Sequence, residues 1–322
     1  MYVSGSRVIS FGHYQPSRLV TNQDLSASLG TSDEWISERI GVRTRRIAGV
    51  DESVADMAAA AAAKALSESG FEAATIDLVV VATCTSVDRM PSVAARVAER
   101  IGATTPGIFD LNAACSGFST ALATADHAIR AGAASRAIVV GVDKMSDFLD
   151  WNDRSSAVIF GDGAGAAVVE AAPDDAAPGI GPVVWGSDPA NADRITMAAD
   201  SADGPKPLFR QEGQSVFRWA TTTLAPVARL ACERAGVAPS DLGGIVTHQA
   251  NLRIINAIAG KIGATDAVLA TDVVESGNTS AASIPLALSK LIEQRSILAG
   301  AEVLLFGFGA GLSYAGQVIR CP

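Results

Sequence analysis

The feature that most constrains how this chain can fold is an alternation of short β-branched runs with alanine-rich segments of helical period. In residues 54–69 the small apolar residues recur on one helix face, and residues 76–83 form a run, mostly apolar, that is typical of a buried strand. The same reasoning predicts helices over 93–101 and 118–129, and strands over 108–111, 137–142 and 157–170. Such an alternation favours an α/β fold of packed layers.

The second half of the chain repeats this order of elements. Periodicity predicts helices over 216–231, 252–262 and 284–291, and strands over 242–247, 267–273, 303–308 and 312–319. We expect the first of these helices to bend at Pro226. The run FGDGAG at 160–165 has an echo, FGFGAG, at 306–311. An internal duplication is therefore indicated.

This duplication predicts two units, residues 1–175 and residues 176–322, joined through the Pro/Gly-rich stretch 173–182. Residues 186–215 interrupt the rhythm, because they are polar, rich in proline and without a sustained period. A loop of this length inside a compact domain is usually functional or disordered. We interpret it as a cap over the active site, belonging to the second unit.

Composition excludes several classes of function. A net charge of −9 over 322 residues disfavours a general nucleic-acid binder. No apolar run approaches the roughly 18 residues of a membrane span, and the N-terminus lacks the pattern of a signal peptide. The four cysteines show neither CxxC pairing nor zinc spacing, so we expect a reduced cytoplasmic protein without a metal site. An anionic substrate would need a local basic patch, for which the candidates are Arg39, Arg43, Arg45 and Arg46, unless these lie on an ordinary solvated loop.

Cys115 is the first candidate catalytic residue. It lies directly after a predicted strand and at the opening of a predicted helix. The partial positive charge and free N–H groups of a helix N-terminus favour the nucleophilic thiolate. A small buried hydrophobe is the competing interpretation, and we prefer it for Cys84 and Cys232 because they lie inside an apolar strand and a helix.

His248 and Asn278 are the other two candidates. His248 follows a predicted strand, and ligands bind at the carboxyl ends of parallel strands, although a structural histidine would also fit. Asn278 adjoins Gly277 and, taken alone, is typical of a turn. However, Asn278 occupies nearly the place in the second half that Cys115 has in the first. If the halves pack with pseudo-symmetry, all three side chains point into one cleft.

Several motifs around these residues resemble the β-ketoacyl-acyl-carrier-protein synthase III family of the thiolase superfamily, and its actinobacterial members in particular. They are TSDEW (31–35), AACSG (113–117), FGDGAG (160–165), HQANLR (248–253), GNTSAA (277–282) and FGAG (308–311). The resemblance runs end to end. It implies a five-layer αβαβα thiolase-like fold, a homodimer, and a cytoplasmic acyltransferase that initiates fatty-acid synthesis.

The resemblance also implies roles for individual residues. Cys115 would take an acyl group from acyl-coenzyme A, while His248 and Asn278 would bind the malonyl thioester of an acyl carrier protein and stabilise the enolate formed by decarboxylation. Backbone N–H groups of Cys115 and Ala310 would form a second oxyanion pocket. Trp35 and Arg154 would sandwich the adenine of coenzyme A, whose remaining contacts would be Thr31, Arg39, Gly213, Asn251 and Arg253. Phe160, Phe217 and Met90 would line the acyl pocket, and Arg253 and Lys261 would contact the carrier protein. Neither a cofactor nor a metal is implied.

Three residues depart from the family pattern. Met90 stands where well-known members carry Phe at the base of the acyl pocket, a side chain that reaches across the dimer. Because Met is flexible, we expect longer or branched primers to be accepted. Ala310 occupies a turn that is often all glycine, and Ser155 replaces a frequent glycine beside Arg154.

Other functions fit the same motifs less well. A priming synthase of a polyketide pathway could share all of them and differ only in primer and partner. Acyl transfer to a hydroxyl or amine would leave Asn278 idle, and a non-catalytic partner subunit would lack Cys115. A dinucleotide-binding reductase is disfavoured, because strands rather than helices are predicted after both glycine runs.

Overall fold

The structure is a computed structural model that describes residues 5–88, 90–173, 176–199 and 206–322. Its strands are β1 (Ser6–Tyr14), β2 (Leu19–Thr21), β3 (Thr44–Arg46), β4 (Leu78–Ala82), β5 (Gly107–Leu111), β6 (Arg136–Asp143), β7 (Gly163–Ala171), β8 (Val184–Ser187), β9 (Ile195–Ala198), β10 (Leu208–Gln211), β11 (Leu242–Thr247), β12 (Val268–Leu269), β13 (Glu302–Gly309) and β14 (Ser313–Arg320). Its α-helices are α1 (Asn22–Leu29), α2 (Asp33–Arg39), α3 (Val54–Ser69), α4 (Val93–Ile101), α5 (Gly117–Arg130), α6 (Gly213–Ala235), α7 (Leu252–Ile262), α8 (Val273–Ser276) and α9 (Ser283–Glu293).

The helices begin and end where local chemistry dictates, as α3 illustrates. Ser53 and Asp56 form a capping box at its start, which satisfies two backbone N–H groups that have no partner within the helix. Gly70 ends it in the left-handed conformation, with φ of 70°, which a residue without a Cβ adopts freely. Between these signals the helix buries an alanine-rich face, so it packs closely against the strands beneath it.

Two five-stranded sheets with the same topology confirm the predicted duplication. The first has the order β1-β7-β6-β4-β5 and the second the order β8-β14-β13-β11-β12. In both sheets the last three strands run parallel, whereas the two preceding pairings are antiparallel. All strands of the first sheet precede residue 174, and those of the second follow residue 183.

The sheets stack in five layers, as the family resemblance implied. Helices α3 and α4 cover the outer face of the first sheet, and α6 and α7 cover the outer face of the second. Helices α5 and α9 lie between the two sheets and contact strands of both. Their side chains belong to one continuous apolar cluster that joins the halves. Burial of that cluster therefore fixes the relative position of the two sheets.

Parts of the predicted element map are wrong. Residues 157–162 do not belong to a strand, because their backbone pairs instead with Asn278: the Gly161 N–H donates to the Asn278 carbonyl at 3.1 Å. The predicted strand 267–273 shrinks to β12, and α8 begins at its end. The two glycine runs are also not equivalent, since 160–165 leads into β7 while 306–311 overlaps the end of β13.

The interpretation of 186–215 as a loop without secondary structure is also wrong. It contains the end of β8, a 3₁₀ turn (Pro189–Arg194), the antiparallel pair β9 and β10, and the start of α6. Residues 200–205 lie outside the described residues. Helix α6 continues through Pro226, whose ring is exposed, so water can bind the carbonyl that loses its partner.

Candidate active site

Cys115 lies on a sharp turn between β5 and α5. A 3₁₀ turn, Ala114–Ser116, connects the two elements. The side-chain oxygen of Asn112 accepts a hydrogen bond from the Ala114 N–H at 3.1 Å, and Ala114 adopts a φ of 44°. Residues other than glycine adopt this conformation rarely, and it is found most often where the surroundings hold it for a purpose. The turn presents Cys115 at the mouth of α5, as the sequence predicted.

The second half contains the same turn in the same place. The 3₁₀ turn Ser280–Ala282 precedes α9, Ser280 has a φ of 51°, and its N–H donates to the side-chain oxygen of Asn278 at 2.8 Å. Asn278 is therefore the counterpart of Asn112 and not of Cys115, which corresponds to Ala281. Since its oxygen is held by this turn, the Asn278 Nδ2 group is directed away from it, and it has no hydrogen-bond partner among the described residues.

His248 follows β11 directly and is held from behind by α9. Its Nδ1 lies 2.8 Å from the Ser283 hydroxyl, which also accepts the Gln249 N–H at 3.2 Å. The Ser283 hydroxyl has one hydrogen, and its only acceptor in the described part of the chain is His248 Nδ1. The arrangement that satisfies every group has Ser283 donating to Nδ1, so the ring proton is on Nε2.

Cys115, His248 and Asn278 all line one cavity of about 710 Å³. Cys115 follows a strand of the first sheet, whereas His248 and Asn278 belong to the second half. The pseudo-symmetric packing of the halves brings the three side chains together at the bottom of the cavity, which we call its floor. Apolar side chains surround this floor: Ile159, Phe160, Ile195, Phe209 and Phe308. The β9–β10 pair contributes to the cavity wall through Ile195 and Phe209, and the role of 186–215 as a cap stays a prediction.

The electrostatics of Cys115 differ from the prediction. Burial raises the pKa of the thiol, the hydrogen-bond contact with Ser280 lowers it in part, and the Asp143 carboxylate raises it, so that the pKa is about 12. Helix α5 was expected to stabilise the thiolate, but low-dielectric surroundings outweigh that effect. The resting nucleophile is therefore a neutral thiol.

His248 is also neutral. Burial lowers its pKa to about 3, because the ring is 2% exposed and no carboxylate is near enough to compensate. A neutral imidazole with its proton on Nε2 is a hydrogen-bond donor toward the cavity, and the Nδ2 group of Asn278 is a second one. Two neutral donors at the floor of an apolar cavity can stabilise an oxyanion that develops between them.

Gly309 makes the closest backbone approach to the nucleophile. A Cβ at this position would lie 2.7 Å from Cys115 Cβ and 3.2 Å from its sulfur. Only glycine allows β13 to end this close to the turn that carries Cys115. Ala310 follows Gly309 directly, and its part in an oxyanion pocket stays a prediction.

Comparison with known proteins identifies the family. Residues 109–189 match the model of 3-oxoacyl-[acyl-carrier-protein (ACP)] synthase III, and residues 232–321 match that of its C-terminal part. The chain is 60% identical over 320 residues to β-ketoacyl-[acyl-carrier-protein] synthase III 2 of Streptomyces avermitilis, covering 99% of this chain and 100% of the relative. This chain belongs to the 3-oxoacyl-ACP synthase III family.

Solved structures agree with the fold of this family. The priming β-ketosynthase from the R1128 polyketide biosynthetic pathway is similar with a TM-score of 0.96 and 41% identity, covering 100% of this chain and 97% of its own. The 3-oxoacyl-(acyl carrier protein) synthase III of Pseudomonas aeruginosa PAO1 is similar with a TM-score of 0.92 and 40% identity, covering 99% and 98%. The thiolase-like duplicated fold is thus confirmed.

The residues that the synthase III resemblance assigned to coenzyme A fall into two groups. Those that line the cavity are Trp35, Arg39, Gly213, Asn251 and Arg253. Thr31 is outside it, with a buried hydroxyl that has no partner in the described residues. Arg154 does not line it either, and its guanidinium carbon lies 5.5 Å from the centre of the Trp35 ring.

The Trp35–Arg154 spacing has a consequence for the expected adenine sandwich. A flat base contacting both groups needs about 7 Å between them, twice an optimal carbon–carbon separation. The observed 5.5 Å is too short, and Arg39 lies 5.1 Å from the same ring. Arg154 must therefore move before an aromatic base can be sandwiched between it and Trp35.

The remaining predicted residues of this synthase III family member are placed as follows. Phe160 and Phe217 line the cavity, whereas Met90 does not and is 86% exposed. Arg253 and Lys261 are exposed on α7; Arg253 lines the cavity, and the Lys261 ammonium donates to the carbonyl of Thr221, which lines the cavity. Arg45 is fully buried, so the basic cluster 39–46 is not one patch.

The burial of Arg45 follows from the alternation of β3. Its side chain turns inward and donates to the Asn22 side chain at 2.9 Å and to the Val158 carbonyl at 2.7 Å, while its neighbours face outward. Desolvation lowers its pKa to about 10, which still leaves the guanidinium charged at neutral pH. Arg45 is a structural residue.

Sequence reasoning missed Ser280, Ser283 and Cys84 as neighbours of the candidate residues Cys115, His248 and Asn278. Cys84 was predicted to be buried in a strand, but it follows β4, is partly exposed, and has its sulfur 3.8 Å from the Ser280 hydroxyl. Only the positions of Ser280 and Ser283 in the turn before α9 could have pointed to them, by analogy with the turn that carries Cys115.

None of the helices in the described segments is long and apolar enough to cross a membrane.

Proposed function

We propose that this protein is a β-ketoacyl-acyl-carrier-protein synthase that initiates fatty-acid synthesis from an acyl-coenzyme A primer. The observation that carries the proposal is the convergence of Cys115, His248 and Asn278 on one cavity. A thiol, a neutral imidazole and a carboxamide at one floor are the groups that a two-step condensation needs.

In the first step the Cys115 sulfur attacks the thioester carbonyl of the primer. A new C–S bond forms at Cys115, the bond to the coenzyme A sulfur breaks, and the thiol proton leaves with coenzyme A. Because one thiol replaces another, no net proton is released and a resting thiol with a pKa of about 12 is compatible with the reaction. The N–H groups of Cys115 and Ala310 would stabilise the tetrahedral oxyanion.

In the second step a malonyl thioester on the carrier protein loses carbon dioxide. The electrons of the broken C–C bond form an enolate, whose oxygen would accept hydrogen bonds from His248 Nε2 and Asn278 Nδ2. The enolate carbon then forms a C–C bond to the carbonyl carbon of the acyl group, and the C–S bond to Cys115 breaks. The Cys115 sulfur leaves as thiolate and takes up a proton from solvent. Decarboxylation replaces removal of a carbon-bound proton, so this chemistry requires neither a strong base nor a metal or cofactor.

Coenzyme A would enter along the wall that carries Trp35, Arg39, Gly213, Asn251 and Arg253. The acidic carrier protein would dock on the exposed cations beside the same opening. Arg253 and Lys261 lie there, and Arg253 also packs over the Phe217 ring at 5.2 Å, which holds it at the rim. Local positive charge of this kind can recruit an acidic partner despite a net charge of −9.

A homodimer is part of the proposal. Strand β5 is an edge of the first sheet and leaves Ile108 and Phe109 exposed, and Val87 and Met90 are exposed apolar side chains as well. An apolar edge strand is a ready surface for pairing with a second copy, and such a dimer would bring Met90 to the partner's acyl pocket. Light scattering should give twice the chain mass, and a Phe109→Asp variant should be monomeric.

We also propose a cytoplasmic location, consistent with four free cysteines.

Priming of a polyketide pathway is the second candidate function. The high similarity to the R1128 priming β-ketosynthase favours it specifically. Acylation rates with acetyl-, butyryl- and isobutyryl-coenzyme A would show whether the flexible Met90 admits longer primers. A strict preference for acetyl would contradict the expectation for Met90.

The proposal is tested by mapping acylation. Incubation with an acyl-coenzyme A, digestion and mass spectrometry should locate the acyl mass on the peptide that contains Cys115. A Cys115→Ala variant should carry none, and Cys232→Ala, which removes a buried thiol that does not line the cavity, should be labelled like the parent. Acylation of another residue, or none at all, would contradict the proposal.

A further inference from the structure

Ser280 is the residue on which the two halves of the active site meet, and no role has been assigned to it above. Its hydroxyl oxygen lies 3.5 Å from the Cys115 sulfur and 3.8 Å from the Cys84 sulfur. Its backbone N–H holds the side-chain oxygen of Asn278 at 2.8 Å. The side chain is 1% exposed, so its hydroxyl has no water to bond with in place of these partners.

The equivalent turn of the first half has alanine, Ala114, at the position of Ser280, so it shows which features of the turn need no hydroxyl. There Ala114 adopts a φ of 44°, and its N–H donates to the Asn112 side chain, just as Ser280 does for Asn278. An alanine can thus fill this strained position and make the backbone hydrogen bond. The turn does not require the hydroxyl of Ser280, whose contacts are the two sulfurs.

We propose that Ser280 is a further catalytic residue, whose hydroxyl donates a hydrogen bond to the Cys115 sulfur and stabilises the thiolate that attacks the primer. The shorter contact, to Cys115, receives the hydroxyl hydrogen. The Cys84 sulfur lies 3.8 Å from the same oxygen and also has Asp143 as a hydrogen-bond partner, which connects Asp143, Cys84, Ser280 and Cys115 in one chain. Hydrogen bonds in such a chain strengthen one another.

The surroundings keep this chain in order. The Asp143 carboxylate accepts hydrogen bonds from the Cys84 N–H at 2.8 Å and from the Ala281 N–H at 3.0 Å, so one group fixes both flanks of Ser280. Burial raises the pKa of Cys84 well above its ordinary value, which keeps its thiol protonated as a donor. The titratable groups that face Cys115 are Cys84 and Asp143 beneath it and neutral His248 across the cavity.

The step in which Ser280 acts is the attack on the primer. Proton loss from a thiol with a pKa of about 12 is costly, and a donor aimed at the sulfur lowers that cost. In the condensation step Cys115 already carries an acyl group, so the sulfur holds no charge until the acyl group leaves. Removing the hydroxyl should therefore slow acylation much more than the attack by the enolate. This part of the inference depends on the proposed function.

The test uses Ser280→Ala, which the Ala114 counterpart shows to be compatible with the backbone. Single-turnover acylation of Cys115 by acyl-coenzyme A should slow by roughly 10-fold, the lower range for a hydrogen bond to a charged group. Condensation from enzyme acylated beforehand should stay within about twofold of the parent. Thr279→Val is the matched control, because Thr279 has a buried hydroxyl without a partner in the described residues, and both rates should be retained.

A second readout does not depend on the proposed function. Iodoacetamide reacts with the thiolate, so its rate at Cys115 below the thiol pKa reports the thiolate fraction. In Ser280→Ala this rate, followed on the Cys115 peptide between pH 7 and 10, should fall by roughly 10-fold at every pH. Unchanged alkylation, or equal slowing of acylation and condensation, would overturn the role of Ser280. If Ser280→Ala slows alkylation as predicted but neither the variant nor the parent is acylated by acyl-coenzyme A, only the proposed function is refuted.

Discussion

Replacing Ser283 with Ala tests how the structure prepares His248 for the condensation step. The Ser283 hydroxyl donates to His248 Nδ1 at 2.8 Å and thereby places the ring proton on Nε2, the atom that faces the cavity. Both residues are nearly inaccessible to water, so no solvent molecule can replace the lost donor. Ser283→Ala should leave the ring free to adopt the other tautomer, in which Nε2 cannot donate.

The size of the effect follows from the energy of that hydrogen bond. A buried polar group left without its partner costs about 1–3 kcal/mol, and each 1.4 kcal/mol corresponds to a factor of ten. We therefore expect condensation from the acylated enzyme to slow by roughly 10-fold. Complete loss of one oxyanion donor, as in His248→Ala, should cost roughly 100- to 1,000-fold.

The assay is a single turnover of acylated enzyme with malonyl-acyl carrier protein, with the prior acylation rate measured separately. Ser119→Ala is the control, because it removes another buried serine hydroxyl that has no hydrogen-bond partner in the described residues. Acylation should be unchanged in both variants. If Ser283→Ala condenses at the parental rate, or loses acylation to the same degree, the tautomer argument is wrong.

Three further predictions concern other parts of the site. Gly309→Ala places a Cβ 2.7 Å from Cys115 Cβ, so acylation should fall by about 100-fold or more by mass spectrometry, whereas Gly260→Ala, with nothing within 4 Å, should retain it. Trp35→Ala should raise the acyl-coenzyme A concentration for half-maximal acylation by roughly 10-fold, the effect of one lost stacking contact, and leave acyl-pantetheine unaffected; equal losses with both substrates would refute the stacking role. Since burial lowers the folded-state pKa of His248 to about 3, below its unfolded value of 6.5, stability should decrease as pH falls from 6.5 toward 3. Urea unfolding should show that the free energy of unfolding decreases less between pH 7 and pH 5 in His248→Gln than in the parent. An equal decrease in both proteins would exclude His248 as a cause of the pH dependence.

Much of the fold could be predicted from the sequence, because the spacing of apolar residues determines which face of each helix or strand must be buried. Helix α3 was predicted with its exact bounds, and the repeated order of elements indicated two similar sheets before any coordinates. The predictions failed where hydrogen bonds between distant segments decide the structure. The stretch 157–162 has the composition of a strand, yet its backbone pairs with Asn278, more than a hundred residues away.

The site was predicted in part for the same reason. Cys115 and His248 follow strands and precede helices, a position that sequence pattern can reveal, whereas helix α8 separates Asn278 from the strand predicted before it. The duplication then predicted that they converge. Residue spacing and composition do not reveal the environment of each atom. We expected a thiolate at Cys115, but it is a neutral thiol, because burial raises its pKa by more than the helix N-terminus lowers it.

The contacts of Ser280 and Ser283 were beyond the sequence for a related reason. Each connects a turn of the second half to a group elsewhere in the chain, and such contacts exist only after the halves have packed. Their positions in the turn before α9 become meaningful only beside the turn that carries Cys115. The comparison of the two halves is therefore more informative than either alone.

The central claim is that different residues of one cavity perform the two steps of the reaction. Cys115 holds the acyl group, and His248 and Asn278 together activate the malonyl thioester. Its most direct test is a chase in which His248→Ala and Asn278→Ala are first acylated with a labelled primer and then given malonyl-acyl carrier protein. We predict that both variants keep the label on Cys115 while the parent releases it as β-ketoacyl product. Release at the parental rate from either variant would contradict the account.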